Sequence, residues 1–317
     1  GIDDLYSRII RTITATREDA EVAISILRWV TCAARPITID ELHDALLFDI
    51  QQTVPNLAKT ASAICGHLVY VDSSNQVHAK HQTVKDYLFR TKNANDTDFV
   101  FDRAQEHGRI AEICLNALCS DVMKTVRYRR SNMAARETKR PHFMNYAISY
   151  FSGHLTRSSS SDDRHLIALN KFLLTNSLTW IELIASQHDL GPLTETAKNL
   201  KTFMGRRAKY RSPLGKEVQN VLEWADDLIR LVAQFGRALL STPSAIHFLI
   251  PSVCPSGSII ARNFAKYPRP LKLVGPSQST WDDRLCCVTF AQLRALCIAC
   301  DVNKFAIGLS NGHVQIY

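Results

Sequence analysis

Residues 64–88 read Ile64-Cys-Gly-His-Leu-Val-Tyr-Val-Asp-Ser-Ser-Asn-Gln-Val-His-Ala-Lys-His-Gln-Thr-Val-Lys-Asp-Tyr-Leu88, and inside this stretch the hydrophobic period changes from helical to alternating. His67 to Asp72 and Gln76 to His81 are strand-like runs joined by Ser73-Ser74-Asn75, a loop of turn residues, and Val84 to about Thr91 returns to helical spacing. Upstream lie helices. Asp3 and Asp4 can cap a first one, with Leu5, Ile9 and Ile13 as its stripe and Tyr6 and Ile10 broadening it. A second, from about Glu18 to Cys32, carries Val22, Ile26, Leu27 and Val30 inward and is stopped by Pro36. Thr38-Ile-Asp-Glu41 has capping-box spacing and opens a third with Leu42, Ala45 and Leu46 buried; Pro55 to Ile64 is a fourth, ended by Gly66. Three helices, a hairpin and a closing helix within some ninety residues predict a winged-helix domain, assigned to 18–92.

Beyond it, 93–250 reads as a helical array, with Ile110, Ile113, Cys114, Ala117 and Leu118 on one stripe. The interruptions are Lys124 to Pro141, the serine run Ser158 to Ser161 with Asp162 and Asp163, expected to be a mobile loop, then Gly191-Pro192 and Ser212-Pro213. Prolines punctuate the chain after Thr242, so 251–280 is expected to run extended as a connector. The segment 281–317 alternates again in Leu296 to Cys300, Phe305 to Leu309 and His313 to Tyr317, with Ser310-Asn-Gly312 as a hairpin turn. The fold class expected is mainly α: a winged helix, an α-helical array, and a short C-terminal β-meander that reads as part of a larger β-domain.

Composition narrows the function classes. The chain has 317 residues, 46% hydrophobic and 21% charged, enough for about two packed domains. No uncharged apolar run approaches the roughly 18 residues of a membrane span, and Gly1 with an acidic start reads as a piece of a longer protein rather than a signal peptide. Nine irregularly spaced cysteines, mostly in apolar surroundings, suggest reduced core thiols and a cytoplasmic location. Net charge is +8, yet residues 1–90 hold 9 Lys and Arg against 11 Asp and Glu. The basic excess therefore lies outside the winged helix.

Several blocks together resemble the region between the NACHT nucleotide-binding module and the WD-repeat propeller of fungal NACHT/WD-repeat proteins of the STAND, or NOD-like receptor, class. They are Ile26-Leu-Arg-Trp-Val30, Arg35-Pro-Ile-Thr-Ile-Asp-Glu-Leu42, residues 64–71 and 81–88, His107-Gly-Arg-Ile-Ala-Glu-Ile-Cys-Leu115, Tyr146-Ala-Ile-Ser-Tyr-Phe-Ser-Gly-His-Leu155 and Phe305 to Tyr317. The resemblance implies a helix at 1–17 trailing an upstream module, and a first propeller blade beginning in 281–317. It also implies a non-catalytic transducer that couples ligand sensing by the propeller to an ADP/ATP switch with Mg in the full-length protein. The implied partners are the upstream NACHT module and the downstream propeller, with oligomerisation on activation. The chain itself carries no G-x-x-x-x-G-K-[ST] phosphate loop, since Gly215-Lys216 lacks the first glycine and the hydroxyl, so no cofactor is expected within it.

The resemblance places one site residue, His81, against the β-phosphate of ADP. Its position at a strand end before a helix N-terminus suits a phosphate. The bland alternative is a strand-end histidine packed in the wing, and Gln82 stands where related proteins carry aspartate. DNA binding is argued against by Lys59 as the only cation from Pro55 to Gly66. The cationic stretches Lys124 to Arg140 and Lys201 to Lys216 read first as solvated faces, second as contacts for an acidic partner or phospholipid surface. Cys297-Ile-Ala-Cys300 has no second pair to complete a zinc site. No hydrolytic signature such as G-x-S-x-G or H-E-x-x-H is present, so no catalytic residue and no enzyme activity is assigned. The competing class is a constitutive interaction scaffold without nucleotide switching, and a nucleic-acid-binding winged helix is third.

Overall fold

The first hydrophobic repeat forms helix α1 (Ile2–Ala15), with Asp3 and Asp4 in its first turn where negative charge meets the positive end of the helix dipole. Its buried face is Tyr6, Ile10 and Ile13, whereas Leu5 is exposed. The expected Leu5 stripe is thus displaced by one residue, because α1 docks through Tyr6. The Tyr6 ring lies 5.3 Å from that of Tyr87, and its hydroxyl is 2.7 Å from Thr83 Oγ1. The computed structural model describes residues 1–15, 17–90, 100–123, 140–265, 278–283, 288, 290, 292–302 and 304–317.

α2 (Arg17–Cys32) buries Val22, Ile26, Leu27 and Val30 as the spacing requires, and Trp29 with them. Strand β1 (Ile37–Thr38) leads directly into α3 (Ile39–Ile50), whose capping box is complete: Glu41 N donates to Thr38 Oγ1 at 3.2 Å and Thr38 N to Glu41 Oε2 at 3.1 Å. α4 (Leu57–Ile64) begins two residues later than Pro55, since Asn56 takes a left-handed conformation that no helix continues. Strands β2 (Val69–Val71) and β3 (Gln76–Ala79) form the expected hairpin. At its turn Asp72 accepts from the amides of Ser74 and Gln76 at 2.8 and 2.9 Å. β1 adds a third strand in the order β1-β3-β2, with Ile37 opposite Val77. Two residues carry no alternation, so this strand has no signature in the sequence. α5 (Gln82–Leu88) completes the winged helix.

The array consists of α6 (Arg103–Cys119), α7 (Phe143–Arg157), α8 (Asp163–Thr175), α9 (Ser177–Ser186), α10 (Gly191–Arg207) and α11 (Lys216–Ser241). All five predicted stripe residues of α6 are buried, and Gly191-Pro192 opens α10, because proline fits a helix's first turn. The serine run is not a loose loop. Ser158 and Ser160 are buried, and Arg206 and Arg207 donate to their carbonyl oxygens. Residues 124–139, the core of the first basic stretch, lie outside the described residues.

The connector departs most from expectation. As far as residue 265 the chain after Thr242 does not run extended but winds into α12 (Ala245–Phe248), α13 (Ile250–Val253) and α14 (Ile259–Phe264), burying Ile246, Ile250, Ile260 and Phe264; residues 266–277, with Pro268, Pro270 and Pro276, lie outside the described residues. Pro251 sits in the first turn of α13, where its missing amide costs nothing. Apolar burial outweighs the extended bias of the prolines. Buried Asp227 of α11 accepts from Trp281 Nε1 at 2.7 Å and from Ile260 N at 3.3 Å, which fixes this segment on the array. At the C-terminus β4 (Ala295–Cys300), β5 (Phe305–Leu309) and β6 (Val314–Ile316) form an antiparallel sheet in sequence order, turned by Gly312 at φ 83°.

Gly66 sits at φ 57°, and an added Cβ would stand 2.6 Å from Ile9 Cγ2 and 3.3 Å from Ile13 Cδ1. Gly66→Ala combines left-handed strain with overpacking and should cost about 1–3 kcal/mol. The check is a lowered urea midpoint at unchanged slope; an unchanged midpoint would mean that α1 does not pack on this turn.

Candidate functional site

His81 follows β3 and is the N-cap of α5, in extended conformation. Its Nδ1 accepts from Thr83 N at 3.2 Å and lies 2.9 Å from Thr83 Oγ1, the hydroxyl that Tyr6 also reaches. The amide a phosphate could have used is therefore taken by the imidazole. An Nδ1 that accepts leaves the ring proton of the neutral form on Nε2, so this exposed histidine presents an Nε2–H donor from a pinned ring. It lines a cleft of about 310 Å³ with Arg35, His78, Gln82 and Lys85 among its polar walls, and among the described residues no carboxylate takes part. Arg35 is held by Glu41 through two hydrogen bonds of 2.8 and 2.6 Å. His78 is 2.9 Å from Asp72 Oδ2 and stacks on Tyr70. The Gln76 amide first, then His78 and the Ser74 amide, hold the Asp72 carboxyl below its usual range.

Behind the cleft, the winged helix is joined to the array through two buried polar clusters that sequence reading missed. In the first, Asp49 of α3, with a side chain 1% exposed, accepts from Ser25 Oγ at 2.5 Å and from Arg109 Nε at 2.7 Å, and pairs with Arg28 at 3.7 Å. Arg28 is bonded to Glu106 as well. In the second, Ala34 N donates to Tyr146 OH at 2.8 Å, Tyr146 OH is 2.7 Å from His154 Nε2, and His154 Nδ1 faces His107 Nδ1 at 2.9 Å. Only one proton fits between the two Nδ1 atoms. The arrangement that gives each of these three bonds one proton runs from Ala34 through Tyr146 and His154 to His107 Nδ1, with both imidazoles neutral. Trp29 packs edge-on against Phe143 and Tyr146, and Arg35 stands over the Tyr146 ring at 5.5 Å. Asp49 and Arg109 are 60 residues apart and carry no local pattern. His107 and His154, like Arg109, fall inside the quoted resemblance blocks, whereas Asp49 does not.

The remaining candidates do not converge. Lys59 is exposed on α4, away from the cleft lining. In the second basic stretch Lys201 pairs with Asp226 at 2.6 Å, and Arg207 is buried against Asp163. That stretch is in part structural rather than a solvated face. Burial lifts the Cys32 and Cys65 thiols to about 11 and about 12, which keeps them protonated, whereas Cys297 and Cys300 are exposed rather than embedded. Cys286 and Cys287 lie outside the described residues. Among the described residues no group of three or more His, Cys, Asp or Glu is placed to hold a metal, and no helix is long and apolar enough to cross a membrane.

A three-helix core with a three-stranded wing makes a winged helix, here seated on a helical array and followed in the chain by a small antiparallel sheet. Residues 10–102 match the family described as GPI inositol-deacylase, winged helix domain. The chain is 25% identical over 243 residues to the vegetative incompatibility protein HET-E-1 of Podospora anserina, covering 67% of this chain and 17% of that protein. No solved structure matches it. The two similarities support kinship with NACHT-related fungal proteins, and the chain spans 17% of the length of the relative it matches.

The histidine relay sets a pH dependence. Burial first, then Arg157 and Arg103, holds His107 down to about 4; burial first, then His107 and Arg157, holds His154 to about 3, both from an ordinary 6.5. Between 6.5 and these values the unfolded chain binds more protons than the folded one. The contribution is therefore complete above pH 6.5 and is lost as pH falls toward 4 and then 3. Urea midpoints measured from pH 7 to 4.5 should decline, and the slope should shrink in His107→Gln; an equal slope in that variant would contradict the neutral relay.

Proposed function

We propose that this chain is a non-catalytic regulatory segment of a STAND-type NACHT switch, in which the winged helix reads the nucleotide state and the helical array transmits it. The observation that carries the reading is His81: a pinned imidazole whose Nε2–H has no partner among the described residues, lining a cleft that also holds Lys85 and, among those residues, no carboxylate. That donor set suits a phosphate oxygen of ADP, while the rest of the nucleotide and its Mg would be held by an upstream NACHT module, where any ATP hydrolysis would also reside. The similarity to HET-E-1 supports the class.

In this reading residues 18–92 are the winged helix and 93–250 the relay, with 1–17 trailing the upstream module and 251–280 connecting to a propeller begun in 281–317. The C-terminal sheet leaves Leu296, Ile298, Val314 and Ile316 exposed, a surface suited to further β-structure such as the following propeller blades. Capture of a ligand there would tilt winged helix and array together, withdraw His81 from ADP and permit exchange and oligomerisation in the cytoplasm. A DNA-reading winged helix is disfavoured, since α4 carries one cation, Lys59.

His81→Asn keeps an N-cap acceptor while removing the imidazole, so the fold should be unperturbed. Full-length protein with this change should co-purify with several-fold less ADP than wild type. Equal nucleotide content would remove His81 from the switch, and absence of bound nucleotide in the wild type would favour a constitutive scaffold.

A further inference from the structure

A second pocket, of about 390 Å³, lies where the loop between α7 and α8 meets the C-terminal end of α10. Ser158 to Ser161 line one side, and Arg206, Lys209 and Tyr210 the other; among the described residues no Asp or Glu lines it. The acids that follow the serines are already engaged. Asp162 holds Arg164 at 2.7 Å and accepts from its amide, and Asp163 pairs with Arg207. Arg206 and Lys209 therefore face the serine loop across this pocket, while Ser159 also borders the adjoining cleft, where Glu106, Glu112 and Asp162 stand among Arg28, Arg109 and Arg164.

Arg206 is placed before any anion arrives. Its Nη2 donates to Leu155 O and Ser158 O at 3.1 Å each, and its buried Nε has no partner. A guanidinium already fixed by backbone carbonyls loses little freedom when an anion arrives. The C-terminal end of α10 would ordinarily repel an anion. Here the last carbonyls are turned back: Met204 O, Arg206 O and Arg207 O accept from the amides of Ala208, Lys209 and Tyr210.

The serines divide by exposure. Ser158 and Ser160 are buried, whereas Ser159 and Ser161 are exposed with hydroxyls 2.9 Å apart. Ser159 is followed at the third and fourth positions by Asp162 and Asp163, the pattern that acid-directed protein kinases read through basic substrate clefts.

We propose that this pocket is a phosphate-binding site and that phosphorylation of Ser159 fills it. An acid-directed protein kinase would transfer the γ-phosphoryl of ATP to Ser159 Oγ. The new P–O bond forms at Oγ, the β–γ bridging bond breaks, the hydroxyl proton passes to the kinase's base, and ADP leaves. The phosphoserine brings nearly two negative charges and three acceptor oxygens beside Arg206 and Lys209. The loop between α7 and α8 is thereby clamped to α10, stiffening the array. The inference does not depend on the nucleotide-switch reading.

The test uses the intact chain, treated with an acid-directed kinase and ATP, mapped by peptide mass and melted beside the untreated chain. Ser159 should carry phosphate, and the melting temperature should rise by about 2–4 °C, a gain of roughly one charge-assisted contact. Lys209→Gln, an exposed change that leaves the loop's own hydrogen bonds intact, should accept phosphate at Ser159 but lose the rise. Lack of modification at Ser159, or an equal rise in Lys209→Gln, overturns the proposal. A parallel melt of the unmodified chain in inorganic phosphate separates the sources: Lys209-dependent stabilisation there, with Ser159 refractory to the kinase, would make the pocket a free-anion site and overturn the phosphoserine assignment.

Discussion

A buried carboxylate constrains the rest of this protein. Asp49 is removed from water, and a carboxylate so placed is tolerated only when its charge and lone pairs are met, an uncompensated one costing several kcal/mol. Its partners come from two helices: Ser25 and Arg28 from α2 and Arg109 from α6, while Asp49 itself stands on α3. The winged helix supplies the first two, and seating on the array adds the second cation. Tyr146 meets the same condition from the other side, accepting from the Ala34 amide and packing against Trp29. The two parts accordingly share one hydrophobic core.

That joint bears on any mechanism. A winged helix hinged freely to its neighbour could release a phosphate by local motion. One fixed by Asp49, Tyr146 and the histidine relay can only move with α6 and α7. In the proposed switch, displacement of the array would thereby carry His81 with it. The short helices after Thr242 are held on the array where Asp227 accepts from Ile260 N.

Local structure was legible in the sequence wherever it is encoded locally. The capping box at Thr38, the Ser73-Ser74-Asn75 turn, the stripe of α6 and the Ser310-Asn311-Gly312 turn are all settled within a few residues of chain. The misreadings have a common cause. Leu5 looked like a core residue until Tyr6 docked on Tyr87, the prolines after Thr242 looked like an extended tether until Ile246, Ile260 and Phe264 found α11, and the serine run looked mobile until Arg206 and Arg207 bonded it. Each is decided by a partner distant in sequence. His81 was legible as a position, since a strand end before a helix is a local feature. That its own Nδ1 consumes the Thr83 amide became visible only in three dimensions.

The central claim is that winged helix and helical array form one mechanical body. Native-state hydrogen exchange tests it most directly, because amides of one cooperative unit open with a common free energy. Core amides of α2 and α3 should exchange with the same opening free energy as those of α6 and α7, and Asp49→Asn should lower all four together. A winged helix that opens at distinctly lower free energy than the array, in a protein whose array remains protected, would contradict the account.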